Sequence, residues 1–362
     1  MNYIAVSHFN GEQLKLARMA AGLSLAEIGL ALDVTRQYAS RLENNSNPSE
    51  SQVELLSELL SVKSTFFYKP RVKTIEAEQC HFRSLRSSTQ TLKKTIMAQV
   101  EMLDSHFVSA IEEEIGFPEV NIITAEDEEF NSVKNIELLA ERARKAMGLG
   151  FGPISNMIKL LESLGCLVVN LADADERIDA FSIYTSRPLI VRNTAKQSLG
   201  RLRFDFAHEL GHLIMHQGME TGCRTTEQQA NNFASAFLIP RSSFIAEFPK
   251  VRGTYFNWEA MIDMKVRWGV SLKSILYRAK ALGLVTNEKA KSGYIYLARN
   301  GFTKIERGDE LMADEFPKML QRAIELLDNH TLEKLLKDSG LSRPILKSRY
   351  NLVLPQARLR SV

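Results

Sequence analysis

The chain has little of what staples or anchors a protein. It carries three cysteines in 362 residues, Cys80, Cys166 and Cys223, an odd number, far apart and outside any CxxC spacing. That is the wrong pattern for a disulfide framework or a thiolate zinc knuckle and suits a reducing compartment. No run of about 18 uncharged apolar residues occurs. The N-terminal MNYIAVSHFNGEQLK lacks the basic region, apolar run and small-residue site of a secretory leader. We therefore expect a soluble, cytoplasmic chain with no membrane partner. Net charge is also scarce, +3, so there is no general field for coating a polyanion, and any contact with nucleic acid must be local. No internal repeat or low-complexity tract is visible. What is present is ordinary for a globular protein, 44% hydrophobic and 25% charged residues, over a length that predicts two or three domains.

Residues 11–61 read as short helices separated by very short turns: GEQLKLARMAAG, LSLAEIGLALDV, TRQYASRLENN and PSESQVELLSELLSV. Ser24 with Glu27 forms a capping box, and Thr35 caps the next helix. Leu25, Ile28 and Leu32 make one apolar stripe, and Ala39 and Leu42 another. Such short pieces pack crosswise into a small bundle. The basic, aperiodic stretch from about 62 to 90 reads as a linker. After it, Leu92, Ile96, Val100, Leu103, Phe107 and Ile111 follow at steps of three and four, an amphipathic helix serving either core packing or a dimer seam. From 135 the pattern changes to two glycine-ended helices, then three strand candidates, CLVVNL, DAFSIYT and PLIVRN. Helices dominate again to the end, and the last 75 residues carry no interpretable motif.

Three of the seven histidines fall within HELGHLIMH, His208 to His216. On a helix His208 and His212 lie roughly 40° apart, one turn above the other, which aims two imidazoles at one cation. Glu209 projects to the neighbouring side, where it can act as a base on water activated by zinc. Phe204, Phe206, Ala207, Leu210, Leu213 and Ile214 wrap the histidines in apolar side chains, as a ligand helix inside a domain core requires. A catalytic zinc needs a third protein ligand. Glu227, opening TEQQANNFASAFLIP fifteen residues after His212, can face the first helix from an antiparallel partner, with Asn231 one turn further on the same face. His216 lies too far along a straight helix to join His208 and His212 on one ion, and reads as a supporting or substrate-side group. Tyr184, Arg201 and His216 are candidates for stabilising an oxyanion.

FDFAHELGHLIMH followed by EQQANNFASAFLIP resembles the ImmA/IrrE family of bacterial and phage metallopeptidases, over about residues 135–285. The resemblance implies His208, His212 and Glu227 as Zn2+ ligands and Glu209 as the base. Phe237 and Ile239 replace aliphatic residues of the family pattern. Family members are associated with cleaving repressors or antirepressor-like partners in mobile-element and stress regulation. LSLAEIGLALDVTRQYASRLENN similarly resembles the helix-turn-helix of phage-repressor-like (XRE) regulators, over about residues 10–68. There Thr35, Arg36, Gln37, Ser40 and Arg41 stand where base edges and phosphates would be met: arginine for guanine, glutamine for adenine, threonine for backbone oxygen. Residues 1–70 hold six Lys+Arg against seven Asp+Glu, so one copy should bind weakly. A homodimer reading two half-sites, or phosphate contacts from the basic segment 71–94, would compensate.

The expected fold is multidomain, mainly α with an α+β centre. An N-terminal helix-turn-helix bundle (1–70) is followed by a linker and amphipathic helix (71–134). A zincin-like metallopeptidase domain with a small sheet (135–285) and a helical C-terminal region (286–362) complete it. The expected function is a DNA-binding transcriptional regulator whose zinc endopeptidase cleaves a repressor-type protein. The rival is a transcription factor or antitoxin whose zinc domain senses a ligand or holds a partner without cutting it. An intact HExxH favours the enzyme, because a purely structural site has no use for Glu209.

Overall fold

The computed structural model describes residues 8–44, 46–70, 80–81, 89–125, 130, 132–172, 180–194, 198–217, 219, 223–250 and 255–355. Most of the basic segment 71–94 therefore lies outside the described residues. The N-terminal bundle is α1 (Gly11–Ala20), α2 (Leu25–Ala31), α3 (Arg36–Glu43) and α4 (Glu50–Leu60). Its helices start where the sequence places their caps. Ser24 and Glu27 form the capping box of α2, and Thr35 Oγ1 accepts from the Tyr38 amide at the head of α3. The turn between α2 and α3 is tight: a Cβ on Gly29 would stand 2.8 Å from the Val34 carbonyl oxygen.

The stretch read as a linker is structured at both described points. A 3-10 turn over Ser64–Tyr68 buries Phe66 and Phe67 completely, and Cys80–His81 forms a two-residue strand, β1. The amphipathic helix follows as α5 (Gln90–Leu103), a π turn (Asp104–Val108) and α6 (Ser109–Glu114). Ile96, Val100, Leu103, Phe107 and Ile111 are all buried within this chain, among residues of the bundle and the C-terminal helices. The stripe is therefore core and not a dimer seam.

The centre holds α7 (Val133–Ala146), α8 (Met157–Ser163), β2 (Leu167–Leu171), β3 (Phe181–Tyr184), β4 (Pro188–Asn193), α9 (Leu199–Met215) and α10 (Arg224–Leu238). All three strand candidates are strands. The sheet order is β1-β3-β4-β2, with β2 parallel to β4 and the other pairs antiparallel. Successive strand residues face opposite sides, and here both sides are buried. Leu167, Val169, Leu171, Phe181, Ile183, Leu189 and Val191 join the core that contains the N-terminal bundle. Cys166, Val168, Ala180 and Ile190 join a second core with Phe206, Leu210, Leu213 and Ile214 of α9. The sheet is thus a partition between two cores.

Beyond α10 come α11 (Arg241–Glu247), α12 (Trp258–Trp268), α13 (Leu272–Ala281) and α14 (Asn287–Arg299), which close the second core. The remaining helices, α15 (Met319–Leu326), α16 (Asn329–Ser339) and α17 (Arg343–Tyr350), return to the first. The Lys63 amide donates to the Gly340 carbonyl, Val62 bridges Leu341, and Ser342 Oγ donates to the Ser61 carbonyl at 2.6 Å. Tyr350 Oη donates to the Gln99 carbonyl, and Gln99 Nε2 in turn donates to the Ala20 carbonyl. The C-terminal region, unreadable as a motif, is a brace that joins the bundle to α5 and the sheet. Among the described residues no helix is long and apolar enough to cross a membrane.

Candidate metal centre and nucleic-acid interface

Helices α9 and α10 pack closely because Gly211, inside HELGH, leaves room for Phe233: a Cβ there would meet that ring at 2.9 Å. The close approach brings the third sequence candidate to the first two. His208 Nε2 and His212 Nε2 are 3.0 Å apart, and the Glu227 oxygens lie 3.4 Å from His208 Nε2 and 3.6 Å from His212 Nε2. Donors held at 2.0–2.1 Å around a tetrahedral zinc stand about 3.3 Å from one another. The three side chains already have that separation, and among the described residues they form the one cluster suited to a metal ion.

The hydrogen bonds behind the rings fix which nitrogen faces the centre. Gln229 Nε2 donates to the Phe130 carbonyl, so its Oε1 is the atom 2.9 Å from His216 Nε2, which must donate to it. His216 Nδ1 is then the acceptor for His212 Nδ1 at 2.9 Å. His208 Nδ1 likewise donates to Asn231 Oδ1 at 3.1 Å. In His208 and His212 alike the proton is assigned to Nδ1 and the Nε2 lone pair to the centre, the tautomer a metal requires. Two lone pairs and a carboxylate aimed at one point fit a cation. His216 therefore stands behind His212, consistent with the length argument that kept it from the metal.

Electrostatics agree. Burial works against ionisation of Glu227, but whenever His208 and His212 carry a proton at Nε2 their hydrogen bonds and charge outweigh it and bring the carboxyl down to about 2; a cation held between the two lone pairs would act in the same direction. Glu209 goes the other way. It is 2% exposed, and burial raises its pKa well above the usual carboxylate range, against the hydrogen bond from Ser182. Ser182 Oγ donates to Glu209 Oε2 at 2.6 Å. Strand alternation puts Ser182 on the α9 side of β3, between two residues of the opposite core. A carboxylate made basic by burial and held by one donor is equipped to take and return a proton.

Sequence reasoning missed Ser182 and Gln229. Ser182 belongs to a strand 27 positions away from its partner, with no local spacing to betray it. Gln229 could have been found, because it follows Glu227 by two residues and so turns away from the metal toward His216. Of the oxyanion candidates, Tyr184 ends β3 two residues beyond Ser182, Arg201 lies in the first turn of α9, and His216 is engaged as described.

At the other site, Thr35, Arg36, Gln37 and Arg41 are exposed and Ser40 is half-buried, while Ala39 and Leu42 are fully buried. Helix α3 thus presents the expected residues outward, on a scaffold fixed by the Thr35 cap. Arg18, paired with Glu43, ties α1 to the end of α3 and is not part of that face.

A two-helix His–His–Glu centre with a buried glutamate, beside a small sheet, defines a metallopeptidase-type domain, here joined to a crosswise helical bundle. The comparisons agree: residues 161–280 match the M78 peptidase family model, the IrrE N-terminal-like domain, and residues 14–67 match a helix-turn-helix model. The chain joins an XRE-type DNA-binding helix-turn-helix to an ImmA/IrrE-type peptidase-family domain. No curated protein matches it.

Proposed function

We propose that this chain is a cytoplasmic, DNA-binding regulator whose central domain is a zinc-dependent endopeptidase. Its substrate would be a repressor or other regulatory protein in a stress or mobile-element response. The observation that carries the reading is the convergence of His208, His212 and Glu227 beside a buried Glu209 held by Ser182. Zn2+, when bound, supplies Lewis-acid activation of water and of a peptide carbonyl. Glu209 accepts a proton at its carboxylate and returns it to the departing amine. Ser182 holds that carboxylate in place, and Asn231 and His216 hold the two imidazoles.

On the DNA side, Arg36 and Gln37 would read base edges while Thr35, Ser40 and Arg41 meet the backbone. A homodimer would add the affinity that a bundle without net positive charge lacks. Its seam would have to lie elsewhere than the Leu92–Ile111 stripe, which this chain buries itself.

The test is an intact-mass time course of the zinc-loaded protein with repressors encoded beside it. We expect cleavage by the native chain and none by Glu209→Gln; equal cleavage by both would remove the peptidase. One observation favours the rival in which the zinc domain only senses: the sheet above α9 shares a core with the DNA-binding bundle. Operator binding by Glu209→Gln that switches with zinc as in the native chain, with no proteolysis by the native chain in any condition, would establish that rival.

A further inference from the structure

The strand nearest the catalytic glutamate has a neighbour on each side. One edge of β3 pairs with β4, Phe181 opposite Val191 and Ser182 opposite Ile190. Its other edge pairs antiparallel with β1, Cys80 opposite Ile183 and His81 opposite Ser182. Ser182 is the residue whose hydroxyl holds Glu209. The backbone of His81 therefore runs one strand spacing, about 4.8 Å, from the residue that positions the base. The metal helix lies on this side of the sheet: α9 packs against β3 and β4, whereas α8 packs against β2. At the far edge, beyond β2, the Ala172 amide donates to the Arg349 carbonyl at the end of α17.

A protease must present its substrate as extended backbone, and the standard way to hold extended backbone is to add it as a strand to an exposed sheet edge. The edge of β3 away from β4 belongs to the strand that holds Glu209 through Ser182, and β1 is on it. We propose that Cys80–His81 is a built-in occupant of the peptide-binding edge, holding the site closed until an extended polypeptide displaces it. This rests on the peptidase reading for its biological meaning but not for its geometry. The pairing is suited to displacement, since two residues offer few backbone hydrogen bonds, each contributing only about 0.5–1.5 kcal/mol net. An incoming segment of five or six residues pairs with the whole of β3, Phe181–Tyr184, and replaces them with more.

The test uses the full-length chain with Zn2+ and fluorescein-labelled casein, an unstructured polypeptide, as probe. Proline at 81 removes a backbone donor and disfavours strand pairing. In a Glu209→Gln background, His81→Pro should bind casein about tenfold more tightly than the chain with His81, the equivalent of about 1.4 kcal/mol. With Glu209 restored, it should cut casein faster by a similar factor at low casein. Tighter binding without any cutting would uphold the occupant and sink the peptidase. Unchanged binding in His81→Pro, or binding of casein by neither chain, would overturn the occupant. Should His81→Pro fail to retain zinc, hydrogen exchange on the Glu209→Gln protein decides the matter. Saturating casein should release protection at residues 80–81, and unchanged exchange there would overturn the proposal. Self-cleavage at 80–81 on the native chain would overturn it too, since the segment would then be a substrate.

Discussion

The two sites of this chain are built by opposite means. The metal centre is made of buried polar groups, each held by a partner that is itself held: Phe130 fixes Gln229, Gln229 fixes His216, and His216 fixes His212. The DNA-facing helix is made of exposed side chains, and what is fixed there is only the helix, through the Thr35 cap and the burial of Ala39 and Leu42. A site that must present lone pairs to an ion has to be assembled before the ion arrives. A surface that reads a flexible, hydrated groove can leave its long side chains free until it docks. Substitutions in the first should therefore act through geometry and in the second through contact.

The comparison is broken most severely by removing a ligand. Structural zinc sites bind with about 10–16 kcal/mol shared among four ligands, about 2.5–4 kcal/mol each. His208→Ala should accordingly lower zinc affinity several hundredfold, measured by competition with a chelator, and abolish peptide hydrolysis with it. Stoichiometric zinc at unchanged affinity would mean that the three side chains are not the ligand set.

The next largest effect contrasts the buried histidines of the two cores. His106, on the DNA-binding side, is buried against the Phe66 ring, at 4.7 Å between centroids. Burial, with a smaller contribution from the charge of Lys69, lowers its pKa to about 3 from 6.5. Because the folded value is the lower one, stability is complete above pH 6.5 and is lost as pH falls from there toward 3. By pH 4 the loss is about 3 kcal/mol. Urea midpoints at pH 8 and pH 4 should show it, and His106→Phe should flatten that part of the slope. A slope identical in both proteins would mean that His106 is protonated as easily in the fold as out of it.

A smaller effect tests whether the supporting layer of the metal centre matters as claimed. Asn231→Ala leaves all three ligands and Glu209 in place but frees the His208 ring to turn. Such a change costs about ten- to a hundredfold in metal affinity, with the metal still binding at high concentration. An unaltered dissociation constant would show that packing against α10, and not the Asn231 hydrogen bond, orients the ring.

The contrast also explains what could be read from the sequence. HELGH declares itself because imidazoles four residues apart fall on adjacent turns of one helix face, and Glu227 because it can face them from the next helix. The three strands were visible as β-branched runs, and the caps of α2 and α3 as Ser24, Glu27 and Thr35. Hidden from the sequence was everything that depends on long-range pairing. Phe66 and Phe67 looked like part of a linker because part of what covers their turn, α16, lies some 270 positions later, where Lys63 and Thr65 reach Leu336 and Lys337, and Phe66 also packs on His106. Ser182 looked like a polar interruption of a strand. The C-terminal region has no motif because a brace needs only apolar faces in the right places.

The mildest perturbation belongs to the exposed site and separates it most cleanly from the buried one. Arg36→Ala removes an exposed side chain, so stability and zinc content should not move. Binding to the operator should weaken by about 1 kcal/mol, the low end for a base-reading side chain, because the bundle supplies no positive field to amplify the contact. The loss should be confined to one base position when operator variants are compared by gel shift. A loss spread evenly over all sequences, with a shallower salt dependence, would instead make Arg36 a phosphate contact. Helix α3 would then still lie on the duplex, but the choice of sequence would rest with Gln37 and its neighbours.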